Sequence, residues 1–386
     1  MEKMKLLIIG GTGVLSTAVV SEAIKSGIEV SILNRGNRLE RIPQGVKLFK
    51  SDARDEKRVR QLLEGNTFDA VIDFICFTQS QIEYSLSLFS QYAKQYLFIS
   101  TTCVYNTSIP GVKDEDSPKV LKEWDYSVNK WDCEKYLVSA AKEKGIPFTI
   151  IRPCITYDDT RIPYGITPPY GYHWTLVERI KTGKPIITWD GGRAKWNMMR
   201  VEDFAVGVCS LIGNEDSFGE AYNISGDEAY SWEEILKVLE DIFHKDIVKV
   251  DMPSRVYKDY LKVKSGEISG RALDCTVSNS KIKRICPSYN TKIGIEEGIM
   301  MTVNAYKSKN YQHGIDWKFD ADTDRIIKDW CKKKGEDWKK YKLGFIDYLG
   351  TATINDRLLY WFVFNNIYDV YRFLGRIKKK LKKIFA

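Results

Sequence analysis

The architecture of this protein follows from one run near its N-terminus, Lys5-Leu-Leu-Ile-Ile-Gly-Gly-Thr-Gly-Val-Leu-Ser16. Leu6 to Ile9 is a short apolar run that predicts a strand buried on both faces. A glycine turn follows, and Ala18 to Ile24 predicts a helix. A strand, a glycine turn and a helix N-terminus in this order form a cradle for an anion, because unpaired N–H groups and the positive end of the helix dipole point at the same place.

The two outer glycines of the turn have separate roles. Gly10 permits the tight turn, and Gly13 lets a pyrophosphate approach the backbone. Ser16 occupies the position of a third glycine, where a small side chain still permits close packing of helix on strand. The turn residues expected to contact a dinucleotide are Gly10, Thr12, Gly13, Val14 and Leu15. A strand–turn–helix unit without any ligand is the alternative.

The end of the second predicted strand, Glu29 to Leu33, is where a dinucleotide site reads the adenosine ribose. Asn34 stands there instead of a carboxylate, and Arg35 and Arg38 follow. A 2′-phosphate would therefore meet no negative charge and would have two guanidinium groups nearby, so the cofactor is NAD or NADP with a preference for NADP. The alternative is that both arginines are solvated loop charges.

Strands and helices alternate over more than a hundred residues, which predicts a parallel, doubly wound α/β sheet. Further strands are predicted at Val46–Phe49, Asp69–Phe74, Tyr96–Ser100 and Phe148–Arg152. Ligands of such sheets bind at the carboxyl ends of the strands. We therefore expect Asp52 to accept a hydrogen bond from an adenine amino group and Phe74 to line the cofactor.

Tyr126 and Lys130 lie four residues apart on one predicted helix and share a face. Lowering a phenol pKa by about three units costs roughly 4 kcal/mol. One cation at about 4 Å supplies about that much at an effective dielectric near 20. The pair therefore predicts a tyrosine acid/base tuned by a lysine, with Thr101 supplying a hydroxyl group at the end of the fifth strand. The alternative is that Tyr126 and Lys130 are two exposed residues on one helix with no catalytic role.

These motifs together resemble the extended short-chain dehydrogenase/reductase family, in its nucleotide-sugar epimerase/dehydratase branch. The similarity covers about residues 1–306. It rests on Gly10–Gly13, Phe98–Thr101 with Val104–Tyr105, Tyr126–Lys130, Ile151–Pro153, Arg200–Asp203 and Tyr222–Ser225. The resemblance implies a Rossmann-like fold, an active site of Thr101, Tyr126 and Lys130, and cofactor contacts from Ser100, Lys130 and Pro153.

Departures from the family pattern bear on the substrate. Sugar dehydratases of this family carry an Asp-Glu pair where this chain has Thr102 and Cys103, so dehydration is disfavoured. A family asparagine that holds the substrate diphosphate corresponds to Ile155, and a phosphate-binding arginine corresponds by spacing to Trp196. Lys195, Arg193 and Arg200 are substitutes for that charge. The predicted substrate contacts are Thr102, Lys195 and Arg200.

Three regions are expected along the chain. Residues 1–155 form the dinucleotide-binding domain, with strand and helix returns near 185–212. Residues 156–338 form a smaller α/β substrate-binding region, and residues 339–386 form a basic, aromatic tail beyond the family pattern.

The charge of the chain is concentrated in that tail. From Arg357 onward there are eight basic residues and one acidic residue, so this stretch carries +7 of the net charge of +8. Phe373, Ile377, Leu381 and Ile384 form a helical apolar stripe, with lysines on the other face. A basic amphipathic helix suits an anionic membrane surface, here through residues 357–386. Docking on another subunit and a plain solvated helix are the alternatives.

The cysteines, the histidines and the lengths of the apolar runs indicate the cellular compartment and whether the protein binds metal or spans a membrane. The eight cysteines lack C-x-x-C pairs and fit buried positions in a reducing compartment, and the three histidines lack the spacing of metal ligands, so no metal is expected. No apolar run reaches the roughly 18 residues of a spanning helix. We expect a cytoplasmic protein, peripheral at the inner face of the membrane if the tail binds there.

The predicted function is a nucleotide-sugar epimerase that removes a hydride from a sugar carbon and returns it to the other face, in surface polysaccharide or glycan precursor synthesis. An NADPH-dependent keto-sugar reductase is the second candidate, and a non-catalytic NADP sensor or RNA-binding relative is the third. The intact Tyr126–Lys130 pair argues against a sensor. The nearly neutral body argues against specific nucleic-acid binding. We expect a nucleotide-sugar as substrate and a homodimer as the assembly.

Overall fold

The computed structural model describes residues 3–310 and 314–384, with the side chains of Val263 and of residues 378–384 left undescribed. The strands are β1 (Lys5–Ile9), β2 (Glu29–Asn34), β3 (Lys47–Lys50), β4 (Phe68–Asp73), β5 (Ala93–Ile99), β6 (Phe148–Pro153), β7 (Ile155–Tyr157), β8 (Ile186–Trp189), β9 (Lys195–Arg200), β10 (Glu220–Ile224), β11 (Ala229–Ser231) and β12 (Lys249–Met252).

The helices alternate with these strands in the first half of the chain and dominate the last third. They are α1 (Val14–Lys25), α2 (Glu56–Leu63), α3 (Gln79–Phe89), α4 (Asp125–Lys144), α5 (Trp174–Thr182), α6 (Val201–Cys209), α7 (Trp232–Phe243), α8 (Ser254–Leu261), α9 (Ser265–Arg271), α10 (Ser280–Ile285), α11 (Ile295–Ser308), α12 (Trp317–Lys334), α13 (Ile354–Phe364) and α14 (Tyr368–Ile384).

The main sheet has seven strands in the order β10-β6-β5-β4-β1-β2-β3. All of its strand pairs are parallel. Leu6 and Ile8 of β1 pack into one core with α1 and α6, and Leu7 and Ile9 pack into a second core with α2, α3 and α4. Because successive side chains of a strand point to opposite faces, both of which are buried here, β1 is apolar from Leu6 to Ile9. The predicted doubly wound, Rossmann-like sheet is confirmed.

The chain forms two compact units, each made of three segments. The first unit comprises Met1–Asp158, Ala194–Ser231 and Val263–Gly298. It holds the main sheet and a small sheet in the order β11-β9-β7. The second unit comprises Asp159–Arg193, Trp232–Lys262 and Ile299–Ala386, and it contains the two-stranded sheet of β12 and β8.

Several elements differ from their predicted bounds. Helix α1 begins at Val14 rather than at Ala18, because Gly13 caps it with extended backbone. Strand β7 was not predicted, since three residues are too few to show a period. Residues 251–275, which carry little pattern, contain α8 and α9.

A cluster of four buried charges orders the second unit. The Arg179 guanidinium of α5 lies 2.5 Å from a carboxylate oxygen of Asp320 and 2.8 Å from one of Asp324, both on α12. The Lys184 ammonium is 2.8 Å and 2.7 Å from the same two carboxylates. All four side chains are fully buried. A buried charge is tolerated only when it is paired, and here two cations meet two anions.

The predicted tail is partly integral to this unit. The Tyr348 hydroxyl donates to Asp320 over 2.7 Å, and the Gly344 N–H donates to Asp324 over 2.8 Å. The Tyr360 hydroxyl of α13 also donates to Asp324. The predicted amphipathic helix is present as α14, whereas the side chains of Leu381, Ile384 and the five terminal lysines lie outside the described residues.

Candidate active site

The glycine turn after β1 has the geometry of an anion cradle. Gly10 has φ +85°, and a Cβ there would lie 2.5 Å from Cγ2 of Ile75, so only glycine fits. Helix α1 starts directly after Gly13. The N–H groups of its first turn have no acceptor within the helix and point out of its N-terminus.

Ser16 has a second role besides the close packing expected of a small side chain, because its hydroxyl forms hydrogen bonds across the turn. Its hydroxyl accepts from the Gly13 N–H over 2.8 Å and donates to the Gly10 carbonyl over 2.8 Å. The side chain is buried. A serine at the third glycine position therefore joins the two outer glycines and shapes the turn.

The end of β2 offers hydrogen-bond donors and positive charge. The Asn34 side-chain oxygen accepts from the Gly36 N–H over 2.8 Å. Its amide nitrogen is buried and has no hydrogen-bond partner among the described residues. Arg35 and Arg38 are exposed. A donor and two nearby cations at this position suit ribose oxygens or a phosphate.

A small cleft that is open to solvent lies beside the ends of β1, β3 and β4. Its lining includes Ala53, Arg54, Asp73, Ile75, Cys76 and Tyr84. The Tyr84 hydroxyl is buried without a partner within the described part of the chain. Asp52 precedes these lining residues and accepts from the Arg54 N–H over 3.0 Å. A largely apolar cleft with a few polar groups suits a flat heteroaromatic base, the role predicted for this edge of the sheet.

Asp73, which the sequence analysis did not single out, shapes the segment after β4 where Phe74 lies. Its carboxylate accepts from the Ile75 N–H over 2.7 Å and from the Tyr96 hydroxyl over 3.1 Å. Ser85 donates to the same carboxylate. The signal available in the sequence was a carboxylate directly after the apolar run Ala70–Ile72, because such a group must find partners when it is buried.

Three of the predicted catalytic and cofactor residues lie at the end of β5 and on α4. Thr101 is buried and caps a short turn, with its hydroxyl accepting from the Cys103 N–H over 3.1 Å. Tyr126 is the second residue of α4 and is 37% exposed. Lys130 follows one helical turn later and is buried. The phenol is thus accessible while the ammonium lies inside the protein.

The Lys130 ammonium bridges two strand ends. It donates to the Cys76 carbonyl over 2.7 Å and to the Ile99 carbonyl over 2.8 Å. It also lies 4.8 Å from the centre of the Phe98 ring. Burial lowers the pKa of Lys130. The nearby side chains that oppose this shift are those of Cys133, Cys76, Asp73 and Glu134. An ammonium has three donors, so one remains for a ligand at this edge.

Glu134 continues the same face of α4 and was missed by sequence reasoning. It accepts from the Ser100 hydroxyl over 2.5 Å and forms a bidentate pair with Arg152, at 3.0 Å and 2.6 Å. The Arg152 guanidinium also donates to the Tyr105 hydroxyl over 2.9 Å. The Ser100 hydroxyl is thus engaged within the protein, and the network fixes α4 against β5 and β6.

The predicted substrate residues lie in different surroundings. Thr102 is buried in the short turn after β5. Lys195 is exposed at the start of β9. Arg200 is buried and paired with Glu202, at 2.8 Å and 2.9 Å. Pro153, a predicted cofactor contact, ends β6.

Arg271 is a further cation of the first unit, linked to Tyr126 through the Trp124 ring. Its guanidinium carbon lies 4.8 Å from the centre of the Trp196 ring and 5.9 Å from that of Trp124. The Trp124 ring lies 5.9 Å from the Tyr126 ring. Two tryptophans therefore contact this guanidinium, and one of them, Trp124, also contacts the Tyr126 ring. Arg271 is also paired with Glu267 at 3.6 Å. The segment that carries Arg271 has too little periodicity for sequence reasoning to have placed it.

Among the described residues, no group of three or more His, Cys, Asp or Glu side chains has the arrangement of a metal site. None of the described helices combines the length and the apolar character needed to cross a membrane.

A model of the NAD dependent epimerase/dehydratase family matches residues 6–225. The 2′-dehydrokanamycin reductase of Streptomyces kanamyceticus is 18% identical over 293 residues, 76% of this chain and 82% of that protein. The chloroplast stem-loop binding protein of 41 kDa b of Arabidopsis thaliana is 25% identical over 249 residues, 60% of this chain and 61% of that protein. A solved structure of UDP-glucuronic acid 4-epimerase from Bacillus cereus, with UDP-glucuronic acid and NAD, matches with TM-score 0.64 and 18% identity over 79% of this chain and all of that one.

Proposed function

The chain belongs to the NAD dependent epimerase/dehydratase family, and we propose that it is a nucleotide-sugar epimerase that works by reversible hydride transfer. The observation that carries the proposal is the position of Lys130. Its ammonium lies at the ends of β4 and β5, one helical turn from an accessible Tyr126. A buried cation at the ligand-binding edge of such a sheet is suited to stabilising negative charge on a reacting group or to binding a ligand oxygen.

Tyr126 is the proposed acid/base. It accepts the proton of the sugar hydroxyl as the carbon is oxidised and returns it when the carbon is reduced. Lys130 would favour the phenolate by charge, and its third N–H would donate to the nicotinamide ribose, since two are used by the Cys76 and Ile99 carbonyls. Thr101 supplies a second hydroxyl beside the reacting oxygen. Lowering the phenol pKa by about three units takes roughly 4 kcal/mol, which one ammonium at about 4 Å can supply.

The residues of the sheet edge fit a pyridine dinucleotide. The first turn of α1 would hold the pyrophosphate, Asn34 the adenosine ribose, and the cleft beside Tyr84 the adenine. When bound, the nicotinamide accepts a hydride and returns it. Lys130 and the segment shaped by Asp73 would orient the nicotinamide end.

Arg271 is the residue we favour for holding the anionic part of the substrate, together with Lys195 and Arg200. The guanidinium of Arg271 contacts Trp196 and Trp124, and the Trp124 ring in turn contacts Tyr126. The ion pair of Arg271 with Glu267 is long, at 3.6 Å, whereas that of Arg200 with Glu202 is 2.8 Å. Arg271→Gln should raise KM for the nucleotide-sugar by about 10-fold or more. If Lys195→Ala and Arg200→Ala each leave KM unchanged, those two residues do not bind the phosphates.

A keto-sugar reductase that uses NADPH is the second candidate. The donor amide of Asn34 and the exposed Arg35 and Arg38 suit a 2′-phosphate. An epimerase returns its cofactor to the starting state in each cycle, whereas a reductase releases the oxidised cofactor. The two candidates therefore differ in how the cofactor is retained.

The test is to denature the purified protein and to identify any dinucleotide released. Bound NAD supports the epimerase, and an empty site that takes up NADPH supports the reductase. Asn34→Asp should shift binding toward NAD by about 10-fold, because a carboxylate repels a 2′-phosphate and accepts from ribose hydroxyls. The homodimer remains a prediction, which sedimentation velocity of the same preparation would check.

A further inference from the structure

Two consecutive helices near the C-terminus, α13 and α14, and the turn between them carry a concentration of exposed apolar side chains. Twenty large apolar residues are exposed in the described part of the chain, and eight of them fall between Ile354 and Ile377. The eight are Ile354, Leu358, Trp361, Ile367, Val370, Phe373, Leu374 and Ile377. The other twelve are scattered between Ile24 and Met300, as is normal for a protein surface. The C-terminal group therefore needs an explanation.

The exposed residues of α13 share one face of the helix. Ile354, Leu358 and Trp361 follow one another at spacings of four and three. The opposite face carries Tyr360 and Val363, which are buried against α12. The helix is therefore held by its inner face, and its outer apolar face has no part in that packing.

The exposed residues of α14 also form a stripe. Val370, Phe373, Leu374 and Ile377 stand at helical spacing, and Phe373 is 62% exposed. The first turn of α14 is fixed to α13. The Ile367 N–H donates to the Phe362 carbonyl over 2.9 Å, and the Phe362 and Tyr371 rings lie 5.6 Å apart. The two stripes thus belong to one folded helix pair.

The positive charge of the C-terminal segment indicates which kind of partner would cover the two apolar stripes. The sequence from Arg357 onward carries eight basic residues and only Asp369 as an acid. A second copy of the chain, docked through the same helices, would bring two such positive segments together, which is unfavourable. A bilayer with anionic headgroups satisfies both features, because the apolar side chains enter the headgroup boundary while the cations meet phosphates.

We propose that α13 and α14 form a docking surface for an anionic lipid bilayer, on which the protein lies without crossing it. The Lys328 ammonium of α12 donates to the Phe364 carbonyl at the end of α13 over 2.7 Å. The helix pair is therefore fastened to the second unit, and binding by these helices brings the whole unit to the lipid surface.

Vesicle co-sedimentation of the full chain tests this proposal. We expect binding to vesicles of phosphatidylcholine mixed with phosphatidylglycerol, weaker binding at high salt, and little binding to phosphatidylcholine alone. Phe373→Ser with Leu374→Ser should weaken binding by about 10-fold or more, and Lys378→Gln with Lys379→Gln and Lys380→Gln by a similar factor.

Val112→Ser is the matched control, because Val112 is also highly exposed but lies in the first unit. It should bind the mixed vesicles like the original chain. Thermal unfolding of each variant verifies that it is folded. The proposal is overturned if the full chain does not bind anionic vesicles. It also fails if the stripe variant, Phe373→Ser with Leu374→Ser, binds them as well as the Val112→Ser control does. It is also overturned if the stripe variant instead turns a dimer into a monomer in sedimentation velocity.

Discussion

Lys130 illustrates how a buried amine finds hydrogen-bond acceptors inside this protein. Burial lowers its pKa, yet two carbonyl oxygens at 2.7 Å and 2.8 Å accept from the ammonium. The Phe98 ring adds a further favourable contact. Because those carbonyls belong to the ends of β5 and of the segment after β4, the charge is held where the ligand edge of the sheet lies.

Gly10→Ala should destabilise the protein by about 2 kcal/mol or more, because alanine is strained at a positive φ and its methyl would also overlap Ile75. Dinucleotide binding should be lost with it. The measurements are the free energy of unfolding in urea and the Kd for NAD and NADP.

Gly27→Ala separates the two causes. Gly27 has φ +80°, but no other group lies within 4 Å of the place that an alanine methyl would take, so only the backbone strain of about 1 kcal/mol applies. Equal losses for the two variants would contradict the steric role of Ile75.

Residues whose roles depend on local spacing could be predicted. Gly10, Gly13, Tyr126 and Lys130 were found from their places in one turn and one helix. The family match confirms the predicted family, the class of enzyme and a pyridine nucleotide as cofactor, whereas the preference for NADP and the individual site residues stay predictions. Glu134 was not found, because its partners Ser100 and Arg152 come from strands distant in sequence.

At the scale of elements, the main feature of α4 is that one face carries several residues of the candidate active site. Tyr126, Lys130 and Glu134 are each one turn apart, so one helix face carries the proposed acid/base, the cation and the anchor. The helix begins at Asp125, which puts the tyrosine in its exposed first turn.

Helix α12 is an element that the pattern of apolar residues did not predict. Its segment is rich in charges and was not predicted as a helix, yet Asp320 and Asp324 are buried and paired with Arg179 and Lys184. A pattern of apolar residues cannot reveal a buried face that is built from opposite charges. Six of the seven strands of the main sheet, which bury apolar side chains, were predicted, whereas β10 was not.

Asp320→Asn should destabilise the second unit by about 3–5 kcal/mol, because it removes one anion from a buried cluster and leaves positive charge uncompensated. Asp322→Asn on the same helix is the control. Its partners Lys318 and Arg325 are nearer the surface, so its loss should stay below about 1 kcal/mol. Similar unfolding free energies for the two variants would contradict the role of the cluster.

At the scale of the whole molecule, the C-terminal segment divides into an integral part and a peripheral part. Removal of residues 343–386 should strongly destabilise the protein, because Gly344, Tyr348 and Tyr360 contact the buried carboxylates. Removal of residues 369–386 should leave the melting temperature nearly unchanged. Thermal unfolding of the two truncated chains checks this, and equal destabilisation would contradict it.

Acid should destabilise the second unit through Asp320. Burial alone would raise the pKa of this carboxyl, but the Lys184 and Arg179 charges outweigh burial and hold the pKa below its ordinary value. The resulting stability is present above the unfolded-state pKa of about 4 and is lost as pH falls through the folded-state pKa. The unfolding free energies of the original chain and Asp320→Asn should therefore converge as pH falls below about 4. A constant difference would show that this linkage is absent.

The central claim concerns the Tyr126 phenol beside a bound pyridine nucleotide. The most direct test is turnover of Tyr126→Phe on the nucleotide-sugar that the original chain accepts, with the dinucleotide Kd measured in parallel. We predict that kcat falls by about 10²–10⁴-fold while that Kd changes little, because the phenol moves a proton and does not hold the cofactor. Unchanged turnover in Tyr126→Phe, or failure of the original chain to bind any pyridine nucleotide, would contradict the account.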